Sequence, residues 1–193
     1  MAKREPDNED HYLELAASGN GKGLEYLVDA YRGLAYTIAM KILGNREDAE
    51  EVVQDAFLKA FAALKNFNRA AKFSTWLYRI VYNTALTKRS SLRVSLTAIN
   101  EQTENIPVTN DRDSLAVLYR ADRKKYVDLA LSRLQQEDRL VVTLHYIADK
   151  NIAETGQIMG LKSSAVKMRL LRARKKLENE LEELLTDELH TIR

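Results

Sequence analysis

The stretch from Asn151 to Leu177, NIAETGQIMGLKSSAVKMRLLRARKKL, constrains the fold more than any other part of the chain. Asn151 followed by Glu154 is typical of a capping box, in which two side chains satisfy free backbone N–H groups at a helix start. Gly160 predicts the end of this short helix, because glycine readily adopts the left-handed conformation of a helix C-terminus. Ser163 can then cap a second helix. Two short helices joined by a glycine-bearing turn predict a helix-turn-helix.

The second of these helices has two different faces. One is an apolar stripe at alternating steps of four and three residues, made of Val166, Leu170, Ala173 and Leu177. The other carries Ser164, Lys167, Met168, Leu171, Arg172 and Lys175. The segment from Lys162 to Lys176 contains no acidic residue. A basic helix with an apolar seam, placed second in such a unit, suits the DNA major groove. The alternative is a basic helix that only faces solvent.

Composition excludes several classes of function. The 193 residues allow one domain or two small ones, and a hydrophobic content of 45% is enough for buried cores. The chain has no cysteine, which excludes disulfides and thiolate chemistry, and His11, His145 and His190 have no metal-ligand spacing. We therefore expect no metal and no cofactor. No segment approaches the ~20 apolar residues of a membrane span, and the N-terminus lacks the apolar core of a signal peptide, so we expect a cytoplasmic protein without membrane insertion.

Hydrophobic periodicity predicts an all-α fold. Helices are expected over residues 9–17, then up to Gly44, then from Asn45 as a cap, and from Ser74 or Thr75 onwards. Between Ser91 and about residue 122 the helical pattern fails, which predicts a flexible linker. A second helical set begins near residue 126. The predicted architecture is two small helical domains, an N-terminal helical bundle and a C-terminal helix-turn-helix bundle, with boundaries at 1–92, 93–122 and 123–193.

Apolar residues ahead of the helix-turn-helix predict another helical unit that leads into it. They are Tyr126, Leu129, Ala130, Leu131, Leu134, Leu140, Val141, Leu144 and Ile147.

The helix after Asn45 carries polar residues that its N-terminus does not explain. Glu47 and Asp48 in the first turn are favoured by the helix macrodipole, by ~0.3–1 kcal/mol each. Gln54, Asp55 and Leu58 lie further along the same helix, beyond the reach of that effect. Another role is expected for this face.

The next helix, FSTWLYRIVYNTALTKRS, interleaves aromatic and basic residues. Aromatic rings can stack on bases for ~1–3 kcal/mol each, while cations follow the phosphates. Trp76 and its apolar neighbours could equally form the domain core. For Trp76 both interpretations stay open at this point.

Three runs of residues resemble one known family. LGNREDAEEVVQDAFLKAFAAL, FSTWLYRIVYNTAL and GLKSSAVKMRLLRARKKL occur in the order and with the separation seen in the extracytoplasmic-function (ECF) sigma factors of bacterial RNA polymerase. The resemblance covers roughly residues 23–89 and 126–181. The helix-turn-helix alone is common to many regulators, whereas the acidic helix followed by F-x-x-W-L-Y-R-I is much more specific.

The resemblance implies a non-catalytic polymerase subunit that directs core RNA polymerase to specific promoters and helps to open the DNA. The first domain would dock on the clamp helices of the largest polymerase subunit through Asp48, Glu51, Gln54, Asp55 and Leu58. The promoter's minus-ten element would be recognised by the connector from Asn66 to Ser74 and the helix that follows, through Lys72, Phe73, Ser74, Trp76, Arg79, Asn83, Lys88 and Arg89. In this family a base is captured outside the stack, which fits the general rule for extruded bases.

The second domain would read the minus-thirty-five element. The matched positions put Lys167, Met168, Leu171 and Arg172 at base edges, and Ser164, Arg169 and Lys175 nearer phosphates. The resemblance also implies promoter DNA and an anti-sigma factor as partners.

The chain departs from the family pattern in places. Gly156 stands where the family usually has alanine, which should cost up to ~1 kcal/mol in a helix interior. Lys162 occupies the usual Ser/Thr cap position, so Ser163 is expected to take over the cap. The acidic tail ENELEELLTDELHTIR runs past the family's usual end and is expected to prolong the last helix; a second hypothesis is that it folds against the basic helix and inhibits DNA binding.

Two other classes of protein compete with this interpretation. A repressor or activator could use the helix-turn-helix on an operator without polymerase. An enzyme could use the carboxylate-rich helix for acid–base chemistry, but no histidine, cysteine or phosphate-binding loop accompanies it.

Overall fold

The computed structural model describes the backbone of residues 6–97 and 126–191, and the side chains of residues 9–93 and 126–184. Within these ranges the regular secondary structure is helical, with no strand, as the sequence predicts. The chain divides into two compact units, one built mainly by the N-terminal helices and one mainly by the C-terminal helices, with residues 157–160 grouped with the first. The predicted linker over 93–122 lies mostly outside the described residues.

The N-terminal unit contains four helices in chain order. They are α1 (Pro6–Ala17), α2 (Gly21–Leu43), α3 (Arg46–Ala63) and α4 (Phe73–Thr97), with a 3-10 turn at Leu64–Asn66 after α3. Helices α2, α3 and α4 pack against one another, and α1 packs on α2. The core of this unit is fully buried at Leu27, Ala35, Ile38, Ala49, Ala56, Ala60, Leu77 and Val81.

Local capping explains where these helices begin and end. Gly44 ends α2 in the left-handed conformation at φ 74°, and its N–H bonds to the Met40 carbonyl. The Asn45 side chain then accepts a hydrogen bond from the Asp48 N–H and starts α3. Both ends agree with the sequence-based prediction. Helix α4 instead continues to Thr97, so the expectation that the helical pattern fails from Ser91 was wrong.

The C-terminal unit is built from shorter helices and one long one. Residues 126–132 form α5, followed by α6 (Gln136–Val142), a π turn at Thr143–Ile147, α7 (Ile152–Met159) and α8 (Ser163–Thr191). Helix α6 packs on α8. The core of the C-terminal unit includes Ala130, Leu131, Leu134, Leu140, Val141, Leu144, Val166 and Ala173.

Two residues of the apolar series ahead of the helix-turn-helix face solvent. Ile147 is 64% exposed and Leu129 is 39% exposed. Ile147 was expected to continue the helical spacing of Leu144, but it lies in the π turn, whose wider winding rotates it off the buried face. Periodicity assumes a regular helix, and it fails where the helix is locally rewound.

Candidate nucleic-acid interface

The turn between α7 and α8 is built as the sequence predicts. The Asn151 side chain accepts from the Glu154 N–H, and the Glu154 carboxylate accepts from the Asn151 N–H, each at 2.9 Å. Gly160 ends α7 with φ 67°. The Leu161 N–H then reaches back to the Gly156 carbonyl at 2.8 Å, which closes a Schellman-type turn. These bonds fix the entry of the chain into α8.

Gly156 has a packing role that the sequence analysis read wrongly. A Cβ added there would lie 2.6 Å from the Leu161 carbonyl oxygen and 3.7 Å from a methyl group of Val166. The glycine therefore lets the turn and α8 approach α7 closely. Alanine at this position would clash with backbone, so the expectation that glycine weakens the helix relative to alanine was wrong.

Helix α8 begins at Ser163, one residue earlier than a Ser163 cap would give. The Val166 N–H bonds to the Lys162 carbonyl at 3.1 Å, so Lys162 occupies the cap position. The prediction that Ser163 caps α8 was therefore wrong.

The two faces of α8 separate as predicted. Val166, Leu170 and Ala173 are buried, and Leu177 is half-buried. The opposite stripe is exposed along its whole length, at Ser164, Lys167, Met168, Leu171, Arg172 and Lys175. Met168 and Leu171 are 54% and 63% exposed, although both are large and apolar. Cations beside exposed apolar side chains can contact phosphates, base edges and thymine methyl groups.

Arg169 differs from the other predicted contacts of α8. Its side chain is 23% exposed, and its guanidinium meets the carboxylates of Glu137 and Asp138 in the first turn of α6. The sequence analysis placed Arg169 near DNA phosphates, whereas in the structure two carboxylates already neutralise it. The sequence could not show this, because both partners lie about thirty residues earlier in the chain.

The predicted minus-ten residues divide by exposure. Phe73, Ser74 and Thr75 are buried at the start of α4, and Phe73 is only 2% exposed. Trp76 is half-buried, while Lys72, Arg79 and Asn83 are exposed, and Lys88 and Arg89 are half-buried. Phe73 therefore belongs to the core, and its ring supports Trp76 at a centroid distance of 5.7 Å.

Two residues of the connector were missed by the sequence analysis. The Phe67 ring lies 5.0 Å from Trp76 and 5.8 Å from Phe73, so the three rings form one cluster at the end of the connector. Arg69 adopts φ 57° and pairs with Asp10 and Glu14 of α1 at 3.2 and 3.5 Å. The aromatic residue within the polar run KNFNRAAK was the available signal for Phe67. Nothing in the sequence indicated the strained backbone of Arg69.

The polar face of α3 is open, but part of it is paired within the unit. Gln54, Asp55 and Leu58 are exposed, with Leu58 at 67%. Lys88 of α4 instead reaches Glu51 at 2.7 Å and Asp48 at 3.4 Å. The hydrogen bond that Lys88 donates to the Glu51 carboxylate is the main cause that raises the Lys88 pKa. One residue predicted for DNA thus contacts two predicted for polymerase.

Family models match both units. Sigma-70 region 2 matches residues 27–93, and sigma-70 region 4 matches residues 124–177. A chain that carries both regions in this order, with an exposed basic face on the helix-turn-helix, is a promoter-recognition subunit of RNA polymerase.

Individual relatives show to which group of sigma factors the chain is similar. The ECF RNA polymerase sigma factor SigW of Bacillus subtilis (strain 168) is 29% identical over 182 residues, covering 89% of this chain and 96% of SigW. The chain belongs to the ECF sigma factors. It therefore serves promoter-specific initiation of transcription by RNA polymerase, and not the polymerase-independent binding of an operator.

Solved structures show the same fold. CnrH, solved in complex with the cytosolic domain of CnrY, is 28% identical with a TM-score of 0.61, covering 91% of this chain and 97% of CnrH. RpoE of Bartonella quintana, solved with the anti-sigma factor NepR, has a TM-score of 0.63 at 21% identity, covering 83% of this chain and 98% of that one. The second likeness concerns the fold alone.

The histidine and carboxylate side chains of the described residues form no group that could hold a metal ion. None of the described helices is both long and apolar enough to cross a bilayer.

Proposed function

We propose that the C-terminal unit binds duplex promoter DNA through the exposed stripe of α8, and that the N-terminal unit binds the minus-ten element through α4 and its connector and core RNA polymerase through α3. The single observation that carries this proposal is the face of α8, where the predicted base-edge residues Lys167, Met168, Leu171 and Arg172 are all exposed. A folded protein has no stability reason to expose Met168 and Leu171 side by side between cations. A ligand that is both anionic and partly apolar, such as the major groove, gives one.

The C-terminal unit reads the minus-thirty-five element as duplex DNA. Lys167, Met168, Leu171 and Arg172 contact base edges, and Ser164 and Lys175 contact phosphates. The domain boundaries of the proposal are those of the sequence analysis, with residues 123–193 as the reading unit.

The N-terminal unit, residues 1–92, recognises the minus-ten element and supports strand opening. The half-buried Trp76, backed by Phe67 and Phe73, offers an aromatic surface on which an extruded base can stack. Lys72, Arg79 and Asn83, all exposed, are placed to hold the backbone of the open strand. The buried Phe73 contributes by supporting Trp76.

The same unit docks on core RNA polymerase through α3. Gln54, Asp55 and Leu58 form the open part of this surface, which faces the clamp helices of the largest subunit. An exposed leucine beside a carboxylate and an amide is typical of a protein interface. Glu51 and Asp48 join it at the edge, next to Lys88.

The protein acts in the cytoplasm as a non-catalytic subunit. By analogy with CnrH, which was solved in complex with the cytosolic domain of CnrY, an anti-sigma factor binds this chain and masks its polymerase-facing surface. Promoter opening is then driven by binding energy alone, and this chain performs no covalent step.

Purified core polymerase provides the first test. We expect the full chain to be retained on immobilised core polymerase, and the double variant Gln54→Lys, Asp55→Lys to be retained far less. Asp29→Lys, which reverses an exposed acid of α2, is the matched control and should bind as the wild type. Failure of the wild-type chain to bind core polymerase would overturn the proposal.

A promoter library provides the second test. Transcription in vitro should select one upstream and one downstream element. We expect Lys167→Ala and Arg172→Ala each to cost about 1–3 kcal/mol of discrimination at one upstream position. Unchanged upstream preference in both variants would reassign the exposed face of α8.

A further inference from the structure

Arg169 lies on the recognition helix but points to another helix. Its Nη1 is 3.3 Å from Oδ1 of Asp138, and its Nη2 contacts the Glu137 carboxylate. The Asp138 side chain is only 14% exposed. The guanidinium therefore spans two carboxylates at a partly dry contact between α8 and α6.

Helix α6 is itself held in place. Arg139, next to these acids, donates from Nη2 to the carbonyl oxygens of Ser132 and Leu134, where α5 ends. Burial lowers the pKa of the Arg139 guanidinium. The two hydrogen bonds that Arg139 donates satisfy both carbonyl oxygens at the end of α5. The first turn of α6 is thus a fixed point against which Arg169 can hold α8.

The position of Arg169 along α8 determines which feature of this helix the contact with α6 controls. It lies between Lys167 and Arg172, and the exposed stripe is on the other side of the helix. A rigid guanidinium fork restrains direction as well as distance, more than a lysine would. Fixing Arg169 therefore fixes the rotation of α8 about its axis, and with it the direction of the base-reading side chains.

We propose that Arg169 is a positioning residue for promoter recognition. It influences DNA binding by holding α8 against Glu137 and Asp138 of α6, and it makes no phosphate contact. This inference rests on the proposed function of α8. An arginine that bound phosphate would have to leave two carboxylates and expose them next to the DNA backbone. The contact with α6 keeps both acids paired with Arg169 while the exposed stripe binds DNA.

The two roles predict opposite signs for the acid variants. If Arg169 positions α8, Glu137→Gln with Asp138→Asn lowers the affinity of the holoenzyme for its upstream element, because the rotation of α8 is released. If Arg169 binds phosphate, the same variant raises the affinity, because it frees a cation and removes two repelling charges. Glu178→Gln removes an exposed acid of α8 and measures the effect of losing a negative charge alone.

Salt dependence separates the roles a second time. Each phosphate contact adds about one unit to the slope of log affinity against log salt concentration. We expect Arg169→Gln to lower the affinity about 3- to 10-fold with an unchanged slope, as a loss of about 1 kcal/mol would. Lys175→Gln should instead reduce the slope by about one. A slope that falls by about one in Arg169→Gln overturns the proposal.

Amide hydrogen exchange in the full chain tests the contact without DNA. We expect Arg169→Gln and the double acid variant to speed exchange in α8 alike, and the triple variant to add nothing further. Additive effects, or unchanged exchange in all three, overturn the proposal. If exchange is coupled but the wild-type holoenzyme has no upstream preference, the proposed function of α8 fails, and the positioning role in promoter recognition is lost with it.

Discussion

Gly156 shows how one backbone contact can reverse a propensity argument. Its missing side chain leaves room for the Leu161 carbonyl, which a Cβ would approach to 2.6 Å. We expect Gly156→Ala to destabilise the C-terminal unit by about 1–3 kcal/mol, in spite of the better helix propensity of alanine. Thermal unfolding measures the change.

Gly33 gives the matched control for this prediction. It lies inside α2, and a Cβ there would meet nothing within 4 Å. Gly33→Ala should therefore stabilise the protein by about 0.5–1 kcal/mol. If Gly33→Ala and Gly156→Ala both stabilise the protein, the Leu161 carbonyl does not exclude a side chain at position 156.

Trp76 and Phe73 are neighbours with different expected roles. Phe73 is 2% exposed, so Phe73→Ala should cost about 3–5 kcal/mol of stability. Trp76 is half-buried, and Trp76→Ala should cost clearly less stability while it impairs strand opening. Permanganate footprinting of the promoter together with urea unfolding would distinguish them. An open complex that forms normally with Trp76→Ala would remove Trp76 from base capture.

Tyr31 links stability to alkaline pH. Burial first, and then a hydrogen bond with Glu9, raise the Tyr31 pKa well above its ordinary value. A raised folded-state pKa favours the neutral phenol, so this contribution is fully present below about pH 10 and is lost as the pH rises further. We expect the N-terminal unit to lose stability progressively as the pH rises above about 10, and Tyr31→Phe to remove part of that loss.

Urea unfolding at several pH values measures the dependence on Tyr31. Tyr146→Phe, which changes an exposed tyrosine of the other unit, controls for the removal of a phenol. Parallel pH curves for wild type and Tyr31→Phe would show that Tyr31 does not contribute.

At the scale of elements, the tail of α8 is part of the C-terminal unit. The helix continues without a break to Thr191, although the family match ends at residue 177. Glu180 pairs with Arg133 at 3.0 Å, and Leu184 is buried. The hypothesis that this tail folds back on the recognition helix requires a break after Lys176, and α8 has none there.

Truncation tests the structural role of the tail. Deleting residues 178–193 should destabilise the C-terminal unit by about 2 kcal/mol or more, mostly through the loss of Leu184. Deleting residues 185–193 keeps Glu180 and Leu184 and should change stability little. Higher promoter affinity in the longer deletion, with unchanged unfolding, would revive autoinhibition.

The proposed division between the units makes a prediction for the whole molecule. Gln54→Lys with Asp55→Lys should abolish transcription from every promoter, because polymerase is not recruited. Lys167→Ala with Arg172→Ala should keep polymerase binding and lose only the advantage of promoters with a matched upstream element. Transcription in vitro from paired templates, with and without that element, measures both. Equal loss on both templates in the second variant would contradict the division.

The sequence by itself determined the all-α fold, the helix-turn-helix and the two faces of α8. These depend on local spacing and on capping, as at Asn45, Asn151 and Gly160, and such interactions join residues only a few positions apart. The exposed stripe with Lys167 and Arg172 could therefore be predicted in full. The continuation of α4 beyond Ser91 could not be predicted. The residues there show no clear apolar stripe, although the backbone stays helical.

Only the tertiary structure decided which of the predicted charges are available. Lys88 is paired across to α3 and Arg169 across to α6, while Lys167 and Arg172 remain exposed. The same holds for Phe73, which packs in the core, and for Gly156, which admits a carbonyl of the next turn. Periodicity tells which side of a helix is apolar, but the partner of a charge or the neighbour of a glycine comes from another segment, whose approach no local pattern encodes.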